Sequence, residues 1–152
     1  MTDTNSNGSS GSNGNHPPLE LTVMSFGYKW GTPPIANLLF DVRFLKNPFW
    51  VEELKPLTGR DRPVQDYVMQ QPLAMEFLKC VLDMLEALLP NLDHMKISDY
   101  TIAFGCTGGQ HRSATMVEAL TTELKARHPQ FQITKIHREL DKPVEPELAE
   151  TT

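Results

Sequence analysis

Cysteine is nearly missing from this 152-residue chain, which has only Cys80 and Cys106. Two thiols make neither a disulfide scaffold nor a four-ligand zinc site, and they suit a reducing, cytoplasmic compartment. Long apolar runs are missing too. None approaches the roughly 20 residues that span a bilayer, so no membrane partner is expected. The N-terminus lacks the basic and apolar regions of a secretory signal. Neither G-x-x-x-x-G-K-[ST] nor G-x-G-x-x-G occurs, which removes the standard nucleotide loops, and nothing calls for a metal or another cofactor.

Residues 1–18 hold no Leu, Ile, Val, Phe, Trp or Tyr. A Ser/Asn/Gly run of that kind buries too little to offset its ordering entropy, so it reads as a disordered leader. The Pro-rich, acidic residues 141–152 read as a disordered tail. The folding unit is then residues 19–140, an ordinary size for one core. The chain carries a net charge of −5. Much of it lies outside the core, at Asp3 in the leader and at Asp141, Glu145, Glu147 and Glu150 in the tail. A near-neutral core argues against a broadly basic nucleic-acid surface.

Alternation at Leu19, Leu21 and Val23 predicts a strand to about Phe26. Gly27–Pro34 is a turn-rich loop, and Leu38–Phe44 a second strand. Pro48, Pro56, Gly59 and Pro63 punctuate an irregular excursion over 46–63. Helices are expected over Val64–Gln71 and from Pro72 to a stop at Pro90. The second carries a stripe of Ala74, Leu78, Val81, Leu85 and Leu88, with Cys80 in the core. A strand at Tyr100–Gly105, a helix at Gln110–Arg127 and a strand at Phe131–Ile136 complete the pattern. The fold class is α/β: three layers, a mostly parallel sheet of about four strands, and flanking helices. In such sheets ligands bind beyond the carboxyl ends of the strands.

The most informative stretch is Tyr100–Ser113, YTIAFGCTGGQHRS, which reads strand, Gly-rich turn, helix start. Gly108 and Gly109 permit a turn whose amides converge, and the helix start adds its positive end. Arg112 can grip two phosphate oxygens through its planar fork. The candidate anion cradle is therefore Cys106, Thr107, Gly108, Gly109, Gln110, His111 and Arg112. Cys106 and Arg112 also have the spacing of cysteine-dependent phosphatases, in which the thiolate attacks phosphorus and an Asp protonates the leaving group. Asp41 is the first candidate acid, ahead of Asp61 and Asp66. Asp41 and Arg43 share a strand face as ligand contacts or as an ion pair, and Lys29 adds positive charge beside Tyr28 and Trp30. Arg60, Arg62 and Arg138 are candidate contacts to a polyanion such as RNA.

Taken in order, SFGYKWG, FDVRFLKNPFW, LTGRDRPV, GCTGGQHRS and HREL resemble the C-terminal domain of the RNase adapter protein RapZ family, over about Thr22–Asp141. The resemblance implies a regulatory domain rather than a catalyst. It implies a sugar-phosphate site for glucosamine-6-phosphate at Cys106–Arg112, Lys29 and Asp41, and a part in binding small RNAs. The family's kinase-like P-loop domain is expected to be missing here, so nucleotide hydrolysis is not carried over. A homo-oligomer and a separate kinase-like partner both stay open. Phe49 stands where the family has a ligand-contacting His, and this tail is acidic where RNA-binding members are basic. Three functions follow as expectations: a sugar-phosphate sensor, a Cys106/Arg112 phosphatase with Asp41, and an RNA-binding adapter module.

Overall fold

Period-two burial at Leu21 and Val23 forms β1, Glu20–Gly27. The computed structural model describes residues 17–142. Most of the expected leader and nearly all of the expected tail thus lie outside the described residues. Three further strands follow: β2 at Leu38–Asp41, β3 at Asp99–Cys106 and β4 at Gln132–His137. They make one sheet in the order β2-β3-β1-β4, and every neighbouring pair is parallel. Three α-helices flank it: α1 (Arg62–Met69), α2 (Pro72–His94) and α3 (Arg112–Arg127). Short 3-10 turns at Tyr28–Trp30 and Pro48–Trp50 interrupt the loops. This is the expected α/β class, with a fully parallel sheet.

The central strands β1 and β3 end together, with Gly27 opposite Cys106. Their ends carry the loops that form the site. The helix α3 packs on β1, β3 and β4 and also meets α1 and α2. Its first turns, Arg112 to Val117, are buried on every side. Small residues at Ser113, Ala114 and Thr115 permit that close approach, and apolar Met116, Val117, Leu120 and Leu124 fill the core.

Three local expectations are corrected. The strand β2 stops at Asp41 rather than Phe44: the Val42 amide makes the last bond to β3, donating to the Gly105 carbonyl at 2.8 Å, and the chain then turns, with the Leu45 amide donating back to the Val42 carbonyl at 3.2 Å. Asp41 and Arg43 accordingly do not share a strand face. Pro90 does not stop α2; it lies inside the helix, which continues to His94. An interior proline costs about 3 kcal/mol. Leu89 is fully buried and Leu92 nearly so on either side of it. Burying a leucine contributes about 1.5–3 kcal/mol, so packing outweighs the defect. Cys80 is exposed, not core. It falls on the side of α2 opposite the buried line of Ala74, Leu78, Val81, Leu85, Leu89 and Leu92.

The end of α2 is a Schellman turn. The Ile97 amide reaches the Leu92 carbonyl at 3.0 Å and the Lys96 amide the Asp93 carbonyl at 3.0 Å. Lys96 occupies the left-handed position, with φ 59°. A side chain is strained there and glycine is not. Lys96→Gly is therefore expected to raise stability by about 0.5–1 kcal/mol, read from the denaturant midpoint.

A buried polar chain joins β1, β4 and α3. The Ser25 hydroxyl lies 2.7 Å from His137 Nδ1, and His137 Nε2 lies 2.9 Å from Glu118 Oε1. Lys135 donates to the other Glu118 oxygen at 2.7 Å. Burial pushes the His137 pKa below its ordinary 6.5, outweighing the upward pull of Glu118. The unfolded chain then takes up a proton that the folded chain refuses. Stability is full above about pH 6.5 and falls as pH drops through that value. Thermal melts between about pH 7.5 and 5.5 should show this slope, and His137→Gln should flatten it.

Candidate functional site

Backbone crowding decides the shape of the β3–α3 loop. Gly109 has φ 72°, and a Cβ there would lie 2.5 Å from the Gly27 amide nitrogen. A Cβ on Gly27 would lie 2.6 Å from the Gly108 carbonyl carbon. The end of β1 and the Gly-rich loop therefore touch main chain to main chain, and the Lys29 amide donates to the Thr107 carbonyl at 3.2 Å. Gly59 locks the far side: its amide donates to the Gln110 carbonyl at 2.8 Å, and a Cβ would meet the Thr115 nitrogen at 2.5 Å. Among the described residues, the amides of Gly108, Gly109, Gln110 and His111 donate to no protein acceptor.

A cavity of about 220 Å³ opens beside this loop. Cys106, Thr107, Gly108, Gln110, His111 and Arg112 form one side, and Lys29, Trp30, Asn47, Phe49 and Trp50 the other. Arg112 is 6% exposed. One terminal nitrogen donates to the carbonyls of Arg43 and Leu45 at 2.9 and 3.1 Å, and the other reaches the Thr107 hydroxyl at 3.4 Å. Its Nε and the Nε2 of His111 are buried with no partner among the described residues. No carboxylate pairs with Arg112 among the described residues. Cys106 Sγ lies 3.1 Å from the Ser113 hydroxyl, which also reaches the Phe26 carbonyl at 3.4 Å.

Several candidates lie elsewhere. Asp41 and Arg43 do not line the cavity. Arg43 closes on Asp41 through contacts of 2.6–3.0 Å and lies 4.0 Å above the Tyr28 ring. Hydrogen bonds from Arg43 hold the Asp41 carboxyl below its ordinary range despite some burial. Such a carboxylate is a poor proton donor. Asp61 accepts from the Thr58 amide at 2.8 Å and Asp66 pairs with Arg62 at 3.2 Å, so neither lines the cavity. Gly109 shapes the loop from behind. Arg60 pairs with Asp141, and Arg138 with Glu139 at 3.0 Å. Arg62 is paired yet largely exposed.

Trp30, Asn47 and Trp50 line the cavity, and Glu139 braces it, though motif reasoning passed over them or left them without a role; Phe49, singled out through the resemblance, lines it too. The Glu139 side chain is 3% exposed and accepts the Gly27 amide at 2.6 Å. Burial pushes its pKa up, but hydrogen bonds from Lys142, Gly27 and Arg138 outweigh that and leave it lowered. The signal for Asn47 and Trp50 was the NPFW turn, which Asn47 caps by accepting from the Phe49 amide, and that for Trp30 the aromatic YKW after β1.

The fold and site define a parallel-sheet α/β domain whose Gly-rich strand–helix loop borders a small cavity with a buried guanidinium. Residues 19–141 match the family of the RapZ C-terminal domain, and the chain belongs to that family. It is similar to a nucleotide-binding protein of Limosilactobacillus reuteri, 49% identical over 122 residues, or 80% of this chain and 41% of that protein. A nucleotide-binding protein of Shewanella halifaxensis is 46% identical over 122 residues, covering 80% and 42%. One from Thermoanaerobacter sp. is 48% identical over 120 residues, covering 79% and 42%. The chain thus spans about two-fifths of the length of these relatives. No helix among the described residues is long and apolar enough to cross a membrane.

The loop geometry yields a graded series of glycine variants. Gly27→Ala and Gly109→Ala each force a methyl into main chain and should cost about 2 kcal/mol or more. Gly108, with open space where its Cβ would go, should accept Ala with little change in stability. Urea titrations of the three variants check the order.

Proposed function

We propose that this domain binds a sugar phosphate beside the β3–α3 loop and signals its presence without turning it over. The observation that carries the reading is Arg112: a guanidinium buried at the cavity and bonded only to neutral oxygens. A buried charge without a direct ion-pair partner is costly, Asp41 acting on it only at longer range, and a phosphate entering the cavity supplies such a partner. Unpartnered loop amides and the start of α3 favour the same anion. An amino-sugar phosphate such as glucosamine-6-phosphate is the ligand that the family resemblance favours, in a cytoplasmic setting. The nucleotide-binding name belongs to the longer relatives, and no P-loop lies in this chain to bring hydrolysis with it.

Catalysis by Cys106 lacks the carboxyl donor that the cysteine-dependent mechanism uses for the leaving group, since no Asp or Glu is among the residues lining the cavity. An aryl phosphate assay should accordingly show no turnover. Calorimetry with glucosamine-6-phosphate, glucosamine and inorganic phosphate tests the main reading. Both phosphorylated ligands should bind and the bare sugar should not. Gly108→Ala, which narrows the cavity without a clash, should weaken binding about tenfold or more, roughly 1.4 kcal/mol. Absence of binding by every phosphorylated ligand, or affinity untouched in both Gly108→Ala and Arg112→Lys, overturns it.

A further inference from the structure

We propose that the turn after β4, residues 138–142, is a clasp that holds the β3–α3 loop in shape from both flanks, with Glu139 as its positioning residue. This rests on the phosphate reading above and goes beyond it to what keeps the site assembled. Two glycines from outside the loop touch its main chain, Gly27 at Gly108–Gly109 and Gly59 at Gln110. The clasp has an arm to each of these two segments.

The first arm grips Gly27 at both of its polar groups. The amide donates to Glu139 Oε2 at 2.6 Å, and the carbonyl accepts from Arg138 Nη2 at 3.3 Å. Arg138 also donates to the Thr32 carbonyl at 2.7 Å and lies 5.4 Å above the Phe26 ring. A Cβ on Gly109 would come within 3.0 Å of Glu139 Cγ, so the stem of this side chain packs directly behind the loop. The second arm is Asp141, which pairs with Arg60, the neighbour of Gly59. One carboxylate therefore acts on each flank.

The clasp is also braced within itself. The His137 amide donates to Asp141 Oδ2 at 2.8 Å, and the Leu140 and Asp141 amides donate to the His137 carbonyl at 3.1 and 2.8 Å. Lys142 Nζ lies 2.8 Å from one Glu139 oxygen and Arg138 Nε 3.0 Å from the other. A bare carboxylate behind an anion site would oppose the ligand, and these two cations offset it. Glu139 thus contributes a charge-assisted bond to Gly27 without repelling phosphate. Loop amides that have no protein acceptor cannot fix their own direction. Their flanks must impose it.

Backbone NMR order parameters and calorimetry with inorganic phosphate, both on the full chain, test the clasp. In the parent, Gly108 to His111 should be as rigid as β3, with order parameters of about 0.85. In Glu139→Ala they should fall below about 0.6 while β3 keeps its value, and phosphate affinity should fall about tenfold or more. A purely structural brace would lower the melting temperature and leave loop order and the affinity of the folded protein untouched. Glu139→Gln keeps an acceptor for the Gly27 amide and should recover most of both losses. Asp141→Ala, at an exposed side chain, should loosen mainly Gln110 and His111, and it serves if Glu139→Ala does not fold. Loop order unchanged in the alanine variants, or affinity unchanged in a loosened loop, overturns the clasp while the phosphate reading stands. If the parent binds no phosphate, that reading falls and takes the clasp's role in binding with it.

Discussion

Arg112 is the constraint around which the rest is arranged. Its guanidinium holds the Arg43 and Leu45 carbonyls, and so ties the excursion after β2 to the first turn of α3. That tie forms one wall of the cavity. Carbonyl dipoles offset part of the charge and leave it formally unneutralised, in a place where water reaches it poorly. A carboxylate in the same position would neutralise the guanidinium within the fold.

Glycine supplies the second condition. At Gly27, Gly59 and Gly109 the loop meets other main chain at distances that no side chain allows. These contacts come from three separate segments, the end of β1, the turn before α1 and the loop itself. Each fixes the position of the others, so amides that lack protein partners stay where they are. Glu139 extends the frame by gripping Gly27 from the turn after β4.

The parts most legible in the sequence were those that depend on neighbours close in the chain. The alternation in β1, the buried run of β3 and the loop–helix junction were readable because pattern and spacing are local there. The cavity-lining half of GCTGGQHRS followed from the same logic. Other features depend on distant contacts. Pro90 reads as a stop until Leu89 and Leu92 are seen packed around it. Asp41 reads as an acid facing the site until Arg43 folds back over it. Trp50 was passed over because the Pro48–Trp50 turn brings it toward a loop nearly sixty positions away in the chain. No period or propensity carries such a contact.

The strand order has a consequence for how the domain comes into being. Both neighbours of β1 are encoded far downstream, since Glu20 pairs with Asp99 on one side and Gln132 on the other. During synthesis β1 emerges first and stays unpaired until nearly the whole domain has been made. The contact between Gly27 and the Gly108–Gly109 turn cannot exist before then. Chaperone access to the nascent chain should therefore be concentrated on this early segment, and the cavity should take shape only after β3 and α3 have arrived.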